Sequence, residues 1–228
     1  MERHIFLGVL LVTLLGIGVA MMVPMAEDHR PEMLPWAIKV NPDGTSTAFG
    51  LNLGRSTVGE AEQRFGLDAE LSLFRAADGK MVVEAFFDNV TLTGLGAKLV
   101  LVAGLSDQQL QGIYERGLRI ANLGGGARKV TLGPDDVALV RKTPIASLTY
   151  LPKAHLDNAL VAKRFGEPAE RVTEAESGVV HWLYPAKGLD VAVSPDQKEV
   201  LQYVAPRDFE RLRAPLLVQG AKVSATAK

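Results

Sequence analysis

Asn158-Ala159-Leu160-Val161-Ala162-Lys163-Arg164-Phe165-Gly166-Glu167-Pro168 is the stretch that decides the fold, because its central triplet has a twin. Arg64-Phe65-Gly66 stands one hundred residues before Arg164-Phe165-Gly166. Each triplet closes a short helical pattern. Ala61 with Phe65, and Val161 with Phe165, are four apart and share a helix face. Thr57 with Glu60 reads as a capping box and Asp157 as an N-cap, while the glycine after each Phe suits a left-handed helix exit.

Strand patterns follow both helices. After the first come Leu71–Arg75, Met81–Phe87, a weaker Val90–Thr93 and Ala97–Ala103. After the second come Glu170–Glu174, Val179–Tyr184, Leu189–Val193 and Val200–Val204. Short turns such as Asp78-Gly79 and Lys187-Gly188 favour antiparallel pairing. Each series then enters a helix, Ser106–Ala121 in the first and Pro206–Leu212 in the second. Further strands are predicted near Lys129–Leu132, Val137–Lys142 and Ile145–Tyr150.

The predicted fold class is therefore α+β, an N-terminal transmembrane helix followed by two tandem helix-plus-antiparallel-sheet repeats. The expected boundaries are 1–24 for an anchor, 25–50 for a proline-rich linker and 51–123 for the first repeat. Connecting strands fill 124–150, the second repeat 151–215 and a disordered tail 216–228. The anchor rests on Ile5–Val23, nineteen residues without a charge, enough to approach a hydrocarbon core of roughly 30 Å. Charge flanking places the N-terminus in the cytoplasm and the rest outside an inner membrane, in the periplasm, with the bilayer contacted through residues 5–23. Gly16 and Ala20 offer a small helix-packing pair. Cleavage near Glu27 is the competing expectation.

Arg164-Phe165-Gly166-Glu167-Pro168, His181-Trp182-Leu183-Tyr184 and Gly188-Leu189-Asp190-Val191-Ala192-Val193 together give a helix ending in G-x-P, a W-x-Y strand and a G-L-x-V-x-V strand. This pattern resembles the SmpA/OmlA (BamE-like) family of outer-membrane assembly lipoproteins and the tandem-repeat fold of β-lactamase-inhibitor-protein-like chains. The chain lacks the family's lipidated cysteine, having none at all. What the resemblance implies is a non-catalytic binding module of the cell envelope with an envelope protein as partner.

Composition and motifs narrow the chemistry. A net charge of -1 argues against a general nucleic-acid binder, and the lack of cysteine removes disulfides, thiolate metal sites and thiol nucleophiles. His4, His29, His155 and His181 form no zinc spacing, so no metal and no cofactor are expected. Gly124-Gly125-Gly126 before Arg128 and Lys129 follows a helix and precedes a strand, the reverse of a phosphate-cradling loop. Ser106 and Asp107 read as a helix cap. Trp182 and Tyr184 share a strand face and, with Tyr203, are the expected partner-binding residues, while packing beneath a helix is the competing fate of the same rings. The function expected is a membrane-anchored, non-catalytic protein-binding or assembly module. The alternatives are a secreted inhibitor-like protein and an envelope hydrolase whose site gathers His155 or His181 with carboxylates.

Overall fold

The computed structural model describes residues 30–194, 196–218 and 222–225. Three short strands come first, β1 (Lys39–Val40), β2 (Ser46–Ala48) and β3 (Leu51–Leu53), paired antiparallel as their own sheet. Helix α1 (Val58–Phe65) starts with the predicted capping box between Thr57 and Glu60 and ends at Gly66, whose φ of 66° is the left-handed exit. The meander β4 (Glu70–Arg75), β5 (Met81–Leu92) and β6 (Leu95–Ala103) follows, then α2 (Asp107–Glu115), β7 (Arg119–Asn122) and β8 (Arg128–Thr131). Helix α3 (Pro134–Arg141) leads into β9 (Ile145–Pro152) and α4 (Asn158–Phe165). A second meander, β10 (Glu170–Thr173), β11 (Val180–Tyr184), β12 (Leu189–Val193) and β13 (Val200–Val204), ends in α5 (Glu210–Val218) and β14 (Lys222–Ala225).

β4 to β14 form one sheet of eleven strands, ordered β14-β10-β11-β12-β13-β9-β6-β5-β4-β8-β7, with every pairing antiparallel. β9 is the seam. Its Tyr150 lies opposite Leu99 of β6 on one side and Leu201 of β13 on the other. The two meanders are thus halves of one sheet.

One face of that sheet carries the main core. α1 sets Val58 and Ala61 on it, α2 sets Leu110 and Ile113, and α4 sets Val161 and Phe165. The three-stranded sheet places Phe49 against Tyr150 and Tyr203, with both pairs of ring centroids 5.3 Å apart. β5 keeps this face fed along twelve residues by a bulge between Phe87 and Val90. The extra residue flips the alternation, so Phe87 and then Val90 and Leu92 all turn inward. The weak pattern at Val90–Thr93 is therefore the far end of β5, apart from its turn. On the opposite face, α5 covers only the second half, where Phe209 and Leu216 meet Val172, Leu183 and Val204 in a smaller core.

The α+β expectation of two tandem units is corrected to a mostly β architecture with five short helices among the described residues, because β9 hydrogen-bonds both meanders into one sheet. The expected span 5–23, with Gly16 and Ala20, lies outside the described residues. Among the described residues no helix is long and apolar enough to cross a membrane. The longest have nine residues and rise only about 14 Å. The expectations of a transmembrane signal-anchor and of a single-pass inner-membrane protein with a periplasmic domain are corrected with it.

Local differences have physical causes. Val137–Lys142, expected as a strand, lies mostly within α3, because Pro134 at the first turn and Asp135 and Asp136 behind it favour a helix start. The helix expected to Ala121 stops at Glu115, and Arg119 begins β7. Within the stretch expected as a linker, Met33, Phe49 and Ala48 are core residues and Pro35 accepts a hydrogen bond from the Tyr203 hydroxyl at 3.0 Å. In the expected tail, 222–225 pairs with β10 as β14.

Candidate binding surface

Strand alternation gives the eleven-stranded sheet a second face, and no described element covers it over the first half. One row of directly opposed residues crosses it: Glu70, Phe86, Val100, Thr149, Gln202 and Asp190. A neighbouring row runs Ser72, Glu84, Val102 and Ser147. Phe74, Phe86, Val100, Val102 and Leu151 are half-buried, and Val82 is exposed. None of them belongs to either core. The rings are shielded by lysine stems rather than by a packed layer. Lys98 Nζ lies 5.7 Å from the centre of Phe86 and Lys129 Nζ 5.7 Å from that of Phe74. Each ammonium is held by an acid, Lys98 by Asp88 at 2.7 Å and Lys129 by Glu70 at 2.5 Å. Glu84 sits among these groups, and burial raises its carboxyl above the ordinary value although Lys129 pulls the other way.

Trp182, Tyr184 and Tyr203 are brought to a common face, as their spacing predicts, but it is the covered one. They are 8%, 4% and 1% exposed. The Tyr184 ring lies 6.1 Å from Phe165 of α4, and its hydroxyl donates to the Gly166 carbonyl at 2.8 Å. The Arg171 guanidinium lies 4.4 Å from the Trp182 ring centre, and Phe49 closes over Tyr203. Desolvation pushes the Tyr184 hydroxyl to about 12 and that of Tyr203 well above its ordinary value. These rings belong to the main core in this structure. Phe86 and Phe74, which the W-x-Y pattern did not single out, are the aromatics left facing outward.

A buried ionisable cluster is centred on His181. Its Nδ1 lies 2.8 Å from Asp190 Oδ2, and its Nε2 lies 3.1 Å from Glu174 Oε1. Asp190 is 1% exposed, and its Oδ1 makes no hydrogen bond among the described residues. Burial alone would pull the imidazole down, but hydrogen bonds and charge from Asp190 and then Glu174 outweigh it and raise His181. Desolvation raises Asp190, whereas the Ser177 hydroxyl and then His181 hold Glu174 low. The Ser177 hydroxyl donates to Glu174, and with both ring nitrogens engaged by carboxylates the imidazole has none free to activate it. Among the described residues, the hollow beside this cluster is lined by the turn Glu174, Ala175, Glu176 and Ser177. The geometry pins strands together with buried charge.

Elsewhere, His155 Nδ1 stands 3.6 Å from Glu199 Oε1, whose other oxygen accepts the Leu156 N–H at 2.8 Å. A wider hollow between α1 and α3 is floored by Glu62 and Arg141, which neutralise each other through two hydrogen bonds of 2.8 and 3.3 Å. Ser106 caps α2 as expected. Among the described residues no group of three or more histidines and carboxylates is arranged to hold a metal ion. No protein-family model, curated protein or solved structure matches the chain.

Proposed function

We propose that the protein is a non-catalytic binding module that receives a protein partner on the uncovered sheet face centred on Phe86 and Val100. The observation that carries this reading is the contrast between the faces. One is sealed by helices and a second sheet, while the other leaves Phe74, Phe86, Val82, Val100 and Val102 outside both cores. Apolar side chains kept part-exposed on a rigid sheet lose little conformational entropy on docking. Lysine stems over the rings keep the free face soluble and can swing aside. The catalytic alternative would need a free base beside a nucleophile, and both ring nitrogens of His181 are engaged by carboxylates.

The test is quantitative recovery of cross-linked partners from cells with the native protein, Phe86→Glu and Val100→Glu. Loss of the same partners in both variants, with melting temperatures unchanged, supports the reading. Undiminished recovery in both removes it.

A further inference from the structure

The strand β7 ends the sheet with its outer edge open: among the described residues it pairs only with β8. Leu123 N–H bonds to the Ala127 carbonyl at 2.8 Å, which sets the phase of the ladder. By antiparallel alternation Arg119 and Ala121 spend their main-chain groups on β8, and Ile120 and Asn122 turn theirs outward. Of the seven large hydrophobic side chains exposed among the described residues, three cluster here: Leu118 at 67%, Ile120 at 46% and Leu123 at 43%. Leu118 N–H turns inward to the Thr131 carbonyl at 2.9 Å, so the free edge begins at Ile120. An open, apolar edge without proline is a template for another strand.

The charges around it say what kind. Arg75 and Arg128 lie directly opposite each other across β4 and β8, a like-charge pair that costs stability unless neutralised. Both donate to one neutral acceptor, the Tyr114 hydroxyl, at 3.4 and 2.7 Å. Hydrogen bonds from Arg128 and then Arg75 hold that hydroxyl below its ordinary value. Asn122 lies opposite Arg128, so a strand added outside β7 would carry a side chain to this pair. Arg119 adds a cation on the other sheet face. At the far end, Asp136 already neutralises Arg116 at 2.6 Å, with Asp135 and Glu115 nearby. On the face that carries Arg75 and Arg128, the positive charge without an ion-pair partner among the described residues is therefore at the Asn122 end.

We propose that β7 is a docking edge for an extended, acidic segment of a protein partner, whose main chain continues the sheet and whose carboxylate is received by Arg75 and Arg128. Strand addition supplies the affinity and the arginine pair the specificity. A second copy of this chain fits less well, because its own β7, Arg119-Ile120-Ala121-Asn122, offers no carboxylate to the arginine pair. The inference rests on the protein acting by binding, but not on the Phe86 face, so the two fail separately.

The probe is a fluorescein-labelled, end-blocked octapeptide repeating valine-threonine-glutamate-threonine, titrated by anisotropy into the full chain. A counterpart carrying glutamine in place of glutamate is the control. The glutamate peptide should bind at least tenfold tighter than the glutamine peptide, and more weakly as salt rises. Arg75→Gln with Arg128→Gln should erase that preference. Asn122→Pro, which removes an outward N–H and no bond to β8, should cut binding at least tenfold, whereas Phe86→Glu should leave it unchanged. Equal binding of the two peptides, or no binding of either, overturns the proposal. So does binding that survives both the arginine pair and Asn122→Pro in folded variants, or a dimer by sedimentation that Asn122→Pro abolishes while no peptide binds.

Discussion

Replacing His181 with leucine removes the cation hydrogen-bonded to a carboxylate that is 1% exposed to solvent. Asp190 would keep its place on β12, opposite Leu183 and Gln202, with Oδ1 already lacking a partner and Oδ2 losing the 2.8 Å bond from the ring. Breaking a buried ion pair from one side costs roughly 3–5 kcal/mol, far above the median for surface pairs, because the remaining charge is stranded. For a chain of this size each kcal/mol moves the melting temperature by about 2–4 °C, so the expected fall is roughly 6–20 °C at neutral pH. The loss should depend on pH in a fixed direction. Burial raises Asp190, so the stranded carboxylate hurts most when ionised and its cost shrinks as pH falls through that raised value. A second substitution, Asp190→Leu, should recover most of the loss, since well-packed apolar groups replace a buried pair at little cost. The assay is calorimetric or circular-dichroism melting of the native protein, His181→Leu and the double variant across pH. A melting temperature unchanged in His181→Leu, or a double variant less stable than the single, would refute the view that this cluster is a buried electrostatic pin.

In the native protein, His181 is raised above its ordinary 6.5, so its protonated form contributes stability that is complete below 6.5 and lost as pH climbs through the raised value; melting temperature should fall across that alkaline side. Gly188→Ala would place a Cβ 2.0 Å from the Val204 carbonyl oxygen at a φ of +66°, and a loss above about 2 kcal/mol is expected in urea titration. Tyr203→Phe deletes the buried 3.0 Å bond to the Pro35 carbonyl and should cost about 1–2 kcal/mol by the same titration. Phe86→Glu, on the uncovered face, should change stability by no more than about 0.5 kcal/mol, which separates a surface role from packing.

Local signals in the sequence carried most of the element boundaries. The capping boxes at Thr57 and Ser106, the cap at Asp157 and the glycines at 66 and 166 are one-turn chemistry, and the helices start and stop there. Val137-Ala138-Leu139-Val140 misled because β-branched content suggested a strand, while the decisive residues, Pro134, Asp135 and Asp136, lie one turn earlier. Long-range pairing left no local mark. Nothing in Ile145–Pro152 announces that β9 serves both meanders, and that is the difference between two repeats and one sheet. The candidate surface was only half legible for a related reason. Alternation correctly groups Trp182 with Tyr184, but β11 is buried on both sides from His181 to Tyr184, so composition cannot tell which face is covered. Phe74 and Phe86 alternate with core residues just as plainly, and only the placement of α1, α2 and α5 reveals that they are left outside.

Site-specific photo-crosslinking in living cells tests the binding surface most directly. A photoreactive side chain at Phe86 is compared with one at Gln111, an exposed position on α2. The account predicts a discrete protein adduct at 86 that is absent at 111. Equal adducts at both positions, or none at 86 with the protein folded and expressed, would contradict it.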